Sequence, residues 1–420
     1  MNDYDFIIAG AGAGGASLAR ELSMGGARVL VVERGPRPEA GVRHSAYSDK
    51  VVSAEGVTIL RALAAGGTTL ISAGCSVPAL EKELLDLGIN IANELLEVEE
   101  DCGVVRLPEK LLSNRSRAIR DAARDEGVEF VPMPKALDPL RCNMCGACMS
   151  GCPQDAMWSS LDTLDEAISA GATVLYDTEA LHVVVMGGRA CGLEVRGVGG
   201  EKTFGGGAVV LAAGALETPV LLNDAGISEA GGNLSVDLLC HVYGLVEGKM
   251  FENEPTMPMV AAQFHDSDGY ILSPNVNLSM VRAFIDEHGL ASRYVPDNAL
   301  GIMIKIADQQ SGKVFSDGSV SKAVSGCDNN VFERAKVVAK AILARAGAEE
   351  NVIFATHVNG AHPAGTAAIG RVVSKSLETR IKGLYVCDAS LLPKAPGLPT
   401  IEVIMALSKY LSKLLLQAGR

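Results

Sequence analysis

Asp5-Phe6-Ile7-Ile8-Ala9-Gly10-Ala11-Gly12-Ala13-Gly14-Gly15 is the stretch on which the fold turns. An apolar run enters a glycine-rich turn. Ala16 to Met24 then carries a helical pattern, Gly25-Gly26 stops it, and a second apolar run, Val29 to Val32, ends at Glu33. Strand, turn, helix, strand is the unit that opens a doubly wound α/β sheet. The spacing gives each glycine a distinct role. Gly10 permits the tight turn, Gly12 lets the backbone approach a pyrophosphate, and Gly15 lets helix and strand pack closely. The helix N-terminus offers free N–H groups to phosphates. Glu33 lies 23 positions after Gly10, where a carboxylate can reach ribose hydroxyls. The motif fits the ADP-ribose part of either FAD or NAD.

Working outward, the 420 residues allow two or three lobes. With 48% hydrophobic and 21% charged residues, the bulk of the chain is neither disordered nor fibrous. Aromatics are only 4%, so aliphatic residues must build the core. A net charge of −13 argues against a nucleic-acid backbone binder. The first strand leaves no room for a signal peptide, and no apolar stretch is long enough for a membrane span. A cytoplasmic protein is the expectation. The ten cysteines then point to metal or redox chemistry rather than to disulfides.

Three later segments decide between the cofactors. Ala65-Gly66-Gly67-Thr68-Thr69-Leu70-Ile71-Ser72-Ala73-Gly74 is a small-residue loop suited to a flat ring. Val209-Val210-Leu211-Ala212-Ala213-Gly214-Ala215 reads as a buried strand running into small residues. Gly383-Leu384-Tyr385-Val386-Cys387-Asp388-Ala389-Ser390 is a strand ending in an acid, and a helix over about 400–416 closes the chain. In this order the segments resemble the glucose–methanol–choline (GMC) family of FAD-dependent oxidoreductases. The likeness runs from the N-terminal motif to everything after His362, and weakens over about 225–360.

The resemblance implies a Rossmann-like FAD-binding domain, of the kind shared with p-hydroxybenzoate hydroxylase, and an α+β substrate domain on an antiparallel sheet. The FAD domain is expected from 1–83, 155–235 and 355–420, the substrate domain from 236–354, and an insertion with a cysteine-rich loop from 84–154. Within the second lobe, 257–265 and 301–306 read as strands and 332–346 as a helix. By the same resemblance, Gly10, Gly12, Gly14, Gly15, Glu33, Gly67, Thr68, Ser72, Ala180, Ala213, Gly214, Asp388, Ala389, Pro399 and Thr400 contact FAD. His362, in His362-Pro363-Ala364-Gly365-Thr366, is the catalytic base.

A neutral imidazole that takes the hydroxyl proton turns an alcohol C–H into a good hydride donor. Family members carry a second His or Asn just before a later proline. Here that place falls on Leu398, which cannot hydrogen-bond an alkoxide. His357 and Asn359 are the nearby substitutes. The gap keeps two other readings open on the same fold: a redox-neutral, lyase-type flavoprotein and an electron-transfer subunit.

Arg141-Cys142-Asn143-Met144-Cys145-Gly146-Ala147-Cys148-Met149-Ser150-Gly151-Cys152-Pro153 has the C-x2-C-x2-C-x3-C-P spacing of bacterial ferredoxins. It predicts a [4Fe–4S] cluster on Cys142, Cys145, Cys148 and Cys152. In two-cluster ferredoxins the fourth cysteine serves the other cluster, so a remote cysteine, Cys75 first among them, is the alternative. Zinc and a purely structural loop are the competing readings. A cluster would make the protein a dehydrogenase of an alcohol-type small molecule. Its electrons would pass singly to a ferredoxin, a quinone or a partner flavoprotein.

Overall fold

A computed structural model describes residues 3–39, 42 and 44–418. Residues 1, 2, 40, 41, 43, 419 and 420, inside the ranges 1–83 and 355–420, lie outside the described residues. The chain opens as expected with β1 (Tyr4–Ala9), α1 (Ala13–Met24) and β2 (Val29–Val32). A hairpin follows, β3 (Ser48–Val52) and β4 (Thr58–Ala62). The insertion contributes α2 (Ala92–Asp101) and α3 (Asn114–Asp125), and then comes α4 (Ser160–Ser169). A run of strands follows: β5 (Thr173–Leu175), β6 (Glu179–Met186), β7 (Arg189–Gly197) and β8 (Gly200–Leu211). The second lobe adds β9 (Leu238–Leu245), β10 (Tyr270–Pro274), β11 (Ala299–Ile306) and α5 (Gly326–Arg345). The chain ends in β12 (Ile353–Ala355), β13 (Asn359–Gly360), β14 (Leu384–Val386) and α6 (Ile401–Ala418).

The first sheet has the order β5-β2-β1-β8-β7-β6, with β14 also on β8. The pairings of β5, β2, β1, β8 and β14 are parallel, while β6, β7 and the first half of β8 form an antiparallel meander. Ile7, Ile8, Ala9, Leu30 and Val31 are fully buried, the two-sided burial that parallel strands impose. The second sheet runs β10-β11-β9-β13-β4-β3, with β12 also on β9. It is antiparallel except where β13 meets β4.

Two details depart from the sequence reading. The hairpin β3–β4 falls within 1–83 yet joins the second sheet, through Thr58↔Asn359 and Gly360↔Ile59. Its half-exposed strands find backbone partners there and none on the first sheet. Within 257–265, only Met259–Val260 is strand, paired with Pro132 and Val131, and a short helix starts at His265. The insertion is shared between lobes. Leu95 and Val98 of α2 enter the core beside α6, whereas Ile119, Ala122 and Ala123 of α3 enter the core of the second sheet.

The glycine motif is built as its spacing demands. Gly10 has φ +108°. A Cβ on Gly15 would lie 1.9 Å from the Gly10 carbonyl oxygen, so the helix touches the turn backbone to backbone. Gly12 is the opposite case: its φ is −81°, and a Cβ there would meet nothing nearer than Gly67 Cα at 4.0 Å. The apoprotein has no packing reason for glycine at 12, so the open space beside it is room for a ligand. Gly15→Ala is therefore expected to lower the thermal stability of the apoprotein, by roughly 1–3 kcal/mol or more. Gly12→Val should leave the apoprotein melting temperature nearly unchanged while abolishing binding in an FAD titration. A matching loss of stability in both variants would refute this division.

Candidate active site between two sheets

Strand alternation builds one wall of the site. Thr58 and Leu60 of β4, Leu239 and His241 of β9, and Met303 and Lys305 of β11 recur at every second position and face one cavity. The opposite side comes from the first lobe: Thr68, Ile71 and Ser72 of the small-residue loop, His362, and Pro399-Thr400-Ile401 at the start of α6. Cys145 to Ala147, Met149 and Ser150 complete the rim. The cavity holds about 880 Å³, within the range of small-molecule and cofactor sites.

His362 Nδ1 lies 2.9 Å from Asp237 Oδ2. The carboxylate can only accept, so Nδ1 carries the hydrogen and Nε2 keeps its lone pair. Asp237 Oδ1 accepts from Gly397 N at 2.8 Å, and Asp237 is fully buried. Behind it, Asp308 accepts from the backbone N–H groups of Val236 and Asp237 and pairs with Lys322 at 2.5 Å. His362 lines the cavity, and 27% of its side chain is accessible. Burial pushes its pKa below the ordinary imidazole value, and the Lys305 charge pushes the same way. The hydrogen bond and charge of Asp237, with the Leu398 backbone, act in opposition. The net direction favours the neutral ring, the state a base requires.

The remaining predicted residues fall in three places. Gly10, Gly12, Gly14 and Gly15 form the turn and first helical residues after β1, with Gly67 against Gly12. Glu33, at the end of β2, accepts from Ala11 N and Gly35 N, each at 2.8 Å, and so pins the turn. A carboxylate has capacity for further donors beyond these two. Ala180, at the start of β6, is two residues past Thr178, whose N–H meets the Glu33 carbonyl at 2.9 Å. Ala213 and Gly214 follow β8. Asp388 ties them to β14 by accepting from Gly214 N (2.8 Å), Thr218 Oγ1 (2.5 Å) and Ser390 N (2.8 Å). The carbonyl of Ala389 accepts from Gly365 N, three residues past His362. Thr68, Ser72, Pro399 and Thr400 meet His362 at the cavity. Of these positions, Thr68, Ser72, Pro399 and Thr400 line the cavity with His362, while the glycine turn, Glu33, Ala180, Ala213, Gly214, Asp388 and Ala389 lie outside its lining.

Leu398 is packed in the first core, off the cavity wall. His357 is exposed and away from it, while Asn359 lines it. Three polar groups of the site escaped the sequence reading: Asp237, Asn275 and Lys305. Asn275 Nδ2 and His241 Nε2 are 2.9 Å apart on the wall, and burial pushes the His241 pKa down to about 4. A usable signal was present for Lys305, a lone charge in the otherwise apolar run 301–306.

The cysteine loop is shaped by left-handed residues at Met144, Gly146 and Gly151. Cys148 is buried, Cys142 and Cys152 are half-buried and Cys145 is exposed. Two backbone donors point at sulfur: Thr256 N to Cys148 Sγ at 3.4 Å and Ala156 N to Cys152 Sγ at 3.5 Å. Burial raises the Cys142 pKa, and the thiols that add to the effect are Cys148, Cys152 and Cys145. Among the described residues, no group of three or more His, Cys, Asp or Glu side chains is placed to hold a metal ion, the four loop cysteines included. Cys75 lies elsewhere on the cavity, 3.5 Å from Lys135 Nζ. All ten cysteines are free.

No helix among the described residues is long and apolar enough to cross a membrane. Compared with known proteins, the chain is 26% identical to an uncharacterized GMC-type oxidoreductase of Mycobacterium tuberculosis, over 96% of this chain and 74% of that one. It is 27% identical to an uncharacterized protein of Methanocaldococcus jannaschii, over 97% and 98% of the two chains. Among solved structures, pyridoxine 4-oxidase from Mesorbium loti shares the fold. The TM-score is 0.75 at 18% identity, covering 98% of this chain and 99% of that one. Models of the N-terminal and C-terminal parts of GMC oxidoreductases match residues 4–243 and 302–408. The chain belongs to the GMC oxidoreductase family.

Proposed function

We propose that the protein is an FAD-dependent dehydrogenase that oxidises a CH–OH substrate, with His362 as base. Cys142, Cys145, Cys148 and Cys152 would hold a [4Fe–4S] cluster, which would carry the electrons onward one at a time. The observation that carries this reading is the His362–Asp237 pair on a cavity whose rim is the cysteine loop.

FAD, when bound, would supply a two-electron hydride acceptor. The predicted contact positions suit it: Gly12 and Gly214 leave open space where a Cβ would project, and Glu33 and Asp388 offer carboxylates beside backbone donors. In this reading Gly10, Gly12, Gly14, Gly15, Glu33 and Ala180 hold the ADP part. Gly67, Thr68, Ser72, Ala213, Gly214, Asp388, Ala389, Pro399 and Thr400 hold the flavin part. The N-terminus of α6 contributes partial positive charge, worth about 0.3–2 kcal/mol toward an anion. Asp237 fixes the tautomer and tilt of His362, and Nε2 accepts the substrate's hydroxyl proton.

The cysteine set supports a cluster through its spacing, its electrostatic proximity and its N–H···S contacts. An oxidase would have no use for such a loop. The electron acceptor proposed is accordingly a ferredoxin, a quinone or a partner flavoprotein. The open cavity argues against an electron-transfer subunit with a closed pocket.

Under anaerobic conditions, a panel of alcohols is expected to include one that bleaches the flavin, and His362→Ala should slow that step about 10²–10⁴-fold with FAD still bound. Because the His362 pKa is depressed, the acid limb of the reduction rate should lie below pH 6.5. Asp237→Asn removes a group that raises this pKa, so it should move the limb lower still and reduce the rate. A wild-type rate in His362→Ala would reject the base.

Protein prepared without oxygen should contain about four iron and four sulfide per chain. Cys152→Ser should lose the cluster and transfer to a one-electron acceptor, while flavin reduction by substrate survives. Absence of iron from such preparations would rule the cluster out. Retention of the cluster in Cys152→Ser would assign the fourth ligand elsewhere.

A further inference from the structure

Four lysines are buried among the described residues, and three of them are fully engaged. Lys135 Nζ donates to the carbonyls of Ala73 and Thr256. Lys322 pairs with Asp308 and donates to the Gln309 carbonyl. Lys409 pairs with Asp101 at 2.8 Å and Glu21 at 3.0 Å. Lys305 is the exception. It is 4% exposed and lines the cavity; its Nζ makes no hydrogen bond to a described residue and is not among the enclosed polar atoms left without a partner, so it reaches the cavity surface.

Its position is set by strand register. Lys305 of β11 stands opposite Leu239 of β9 and Ile271 of β10, and all three line the cavity, with Met303 two residues away on the same face. Its surroundings on the sheet are therefore apolar. The carboxylate that acts on it is Asp237, whose oxygens also accept from His362 and Gly397. Burial pushes the Lys305 pKa below the ordinary lysine value, and the Asp237 and Cys75 charges act in opposition, so a largely buried ammonium here is costly. A chain that keeps one on a cavity wall, within electrostatic reach of its base, points to a ligand group that completes the pair.

We propose that Lys305 is a second catalytic residue, whose Nζ donates a hydrogen bond to the reacting oxygen of the substrate and holds the negative charge that develops there. This rests on the CH–OH reading given above. It gives the part that Leu398 cannot play to a residue of the other lobe. In the step, the substrate O–H bond breaks and its proton goes to His362 Nε2. The C–H electron pair leaves with its hydrogen as hydride to the flavin, and the carbonyl double bond forms. Lys305 keeps its protons throughout. Its charge has a second use, since it favours the neutral form of His362.

The test compares FAD-loaded wild type with Lys305→Met and Lys305→Arg by three readouts. Acetate serves as a small oxyanion probe, its binding followed by calorimetry. Lys305→Met removes a largely buried amine that makes no hydrogen bond to the protein, so its melting temperature should stay level or rise. Its acetate affinity should fall at least about tenfold. With an alcohol that reduces the wild type, its reduction rate should fall roughly 10²–10³-fold, the usual cost of deleting one oxyanion donor. Lys305→Arg should recover part of the acetate binding.

Loss of folding or a clearly lowered melting temperature in Lys305→Met would mark the lysine as structural and overturn the proposal. Undiminished acetate binding, or reduction at the wild-type rate, would do the same. If no alcohol reduces the wild-type flavin, the CH–OH reading falls and the proposal falls with it. Normal reduction in Lys305→Met would remove Lys305 alone and leave that reading standing.

Discussion

One buried carboxylate, Asp237, holds the site together. Its side chain reaches His362 and Gly397, which belong to segments more than a hundred residues further along the chain. Its own N–H is received by Asp308, which Lys322 neutralises. Asp237 therefore sits at the centre of an alternating series of charges and donors that spans both lobes. Its φ of +46° is in the left-handed region, where Asp is among the few non-glycine residues commonly found. A buried carboxylate is tolerable only when its acceptor sites are filled, and here two different segments fill them. The constraint works in both directions: satisfying Asp237 requires the lobes to close, and closing them orients the imidazole.

Much of this was legible from sequence because the first lobe uses local signals. The glycine turn at 10–15, the stop at Gly25-Gly26, the strand before Asp388 and the helix after Pro399 each depend on residues within a few positions of one another. The structure has all of them where the spacing put them. His362 was singled out by the family resemblance of its segment, and the structure places it on the cavity. The second lobe was harder. The hairpin β3–β4 carries no mark of which sheet it will join, since its partner strand lies about three hundred residues away. The segment 257–265 has a strand-like composition, but only two of its residues find a ladder. Asp237 and Lys305 could not be paired with His362 by spacing, because their meeting depends on register within the second sheet. The lysine's presence in 301–306 was visible as a charge out of pattern; its lack of a hydrogen bond to any described residue was not.

The pairing of β4 with β13 also has a consequence for how the chain comes into being. Thr58 and Ile59 must wait for Asn359 and Gly360 before the second sheet can close. At 5–20 residues per second of synthesis, that interval is roughly 15–60 s. Throughout it, the hairpin presents an open backbone edge to whatever is nearby, the situation that invites strand-to-strand aggregation. The hairpin carries its own protection: Asp49, Lys50 and Arg61 place charges along it, and Asp49 and Arg61 form an ion pair across its two strands at 2.6 Å. The contact order that makes the candidate site a meeting of distant segments thus also leaves an early hairpin edge unpaired until the last strands of its sheet are made.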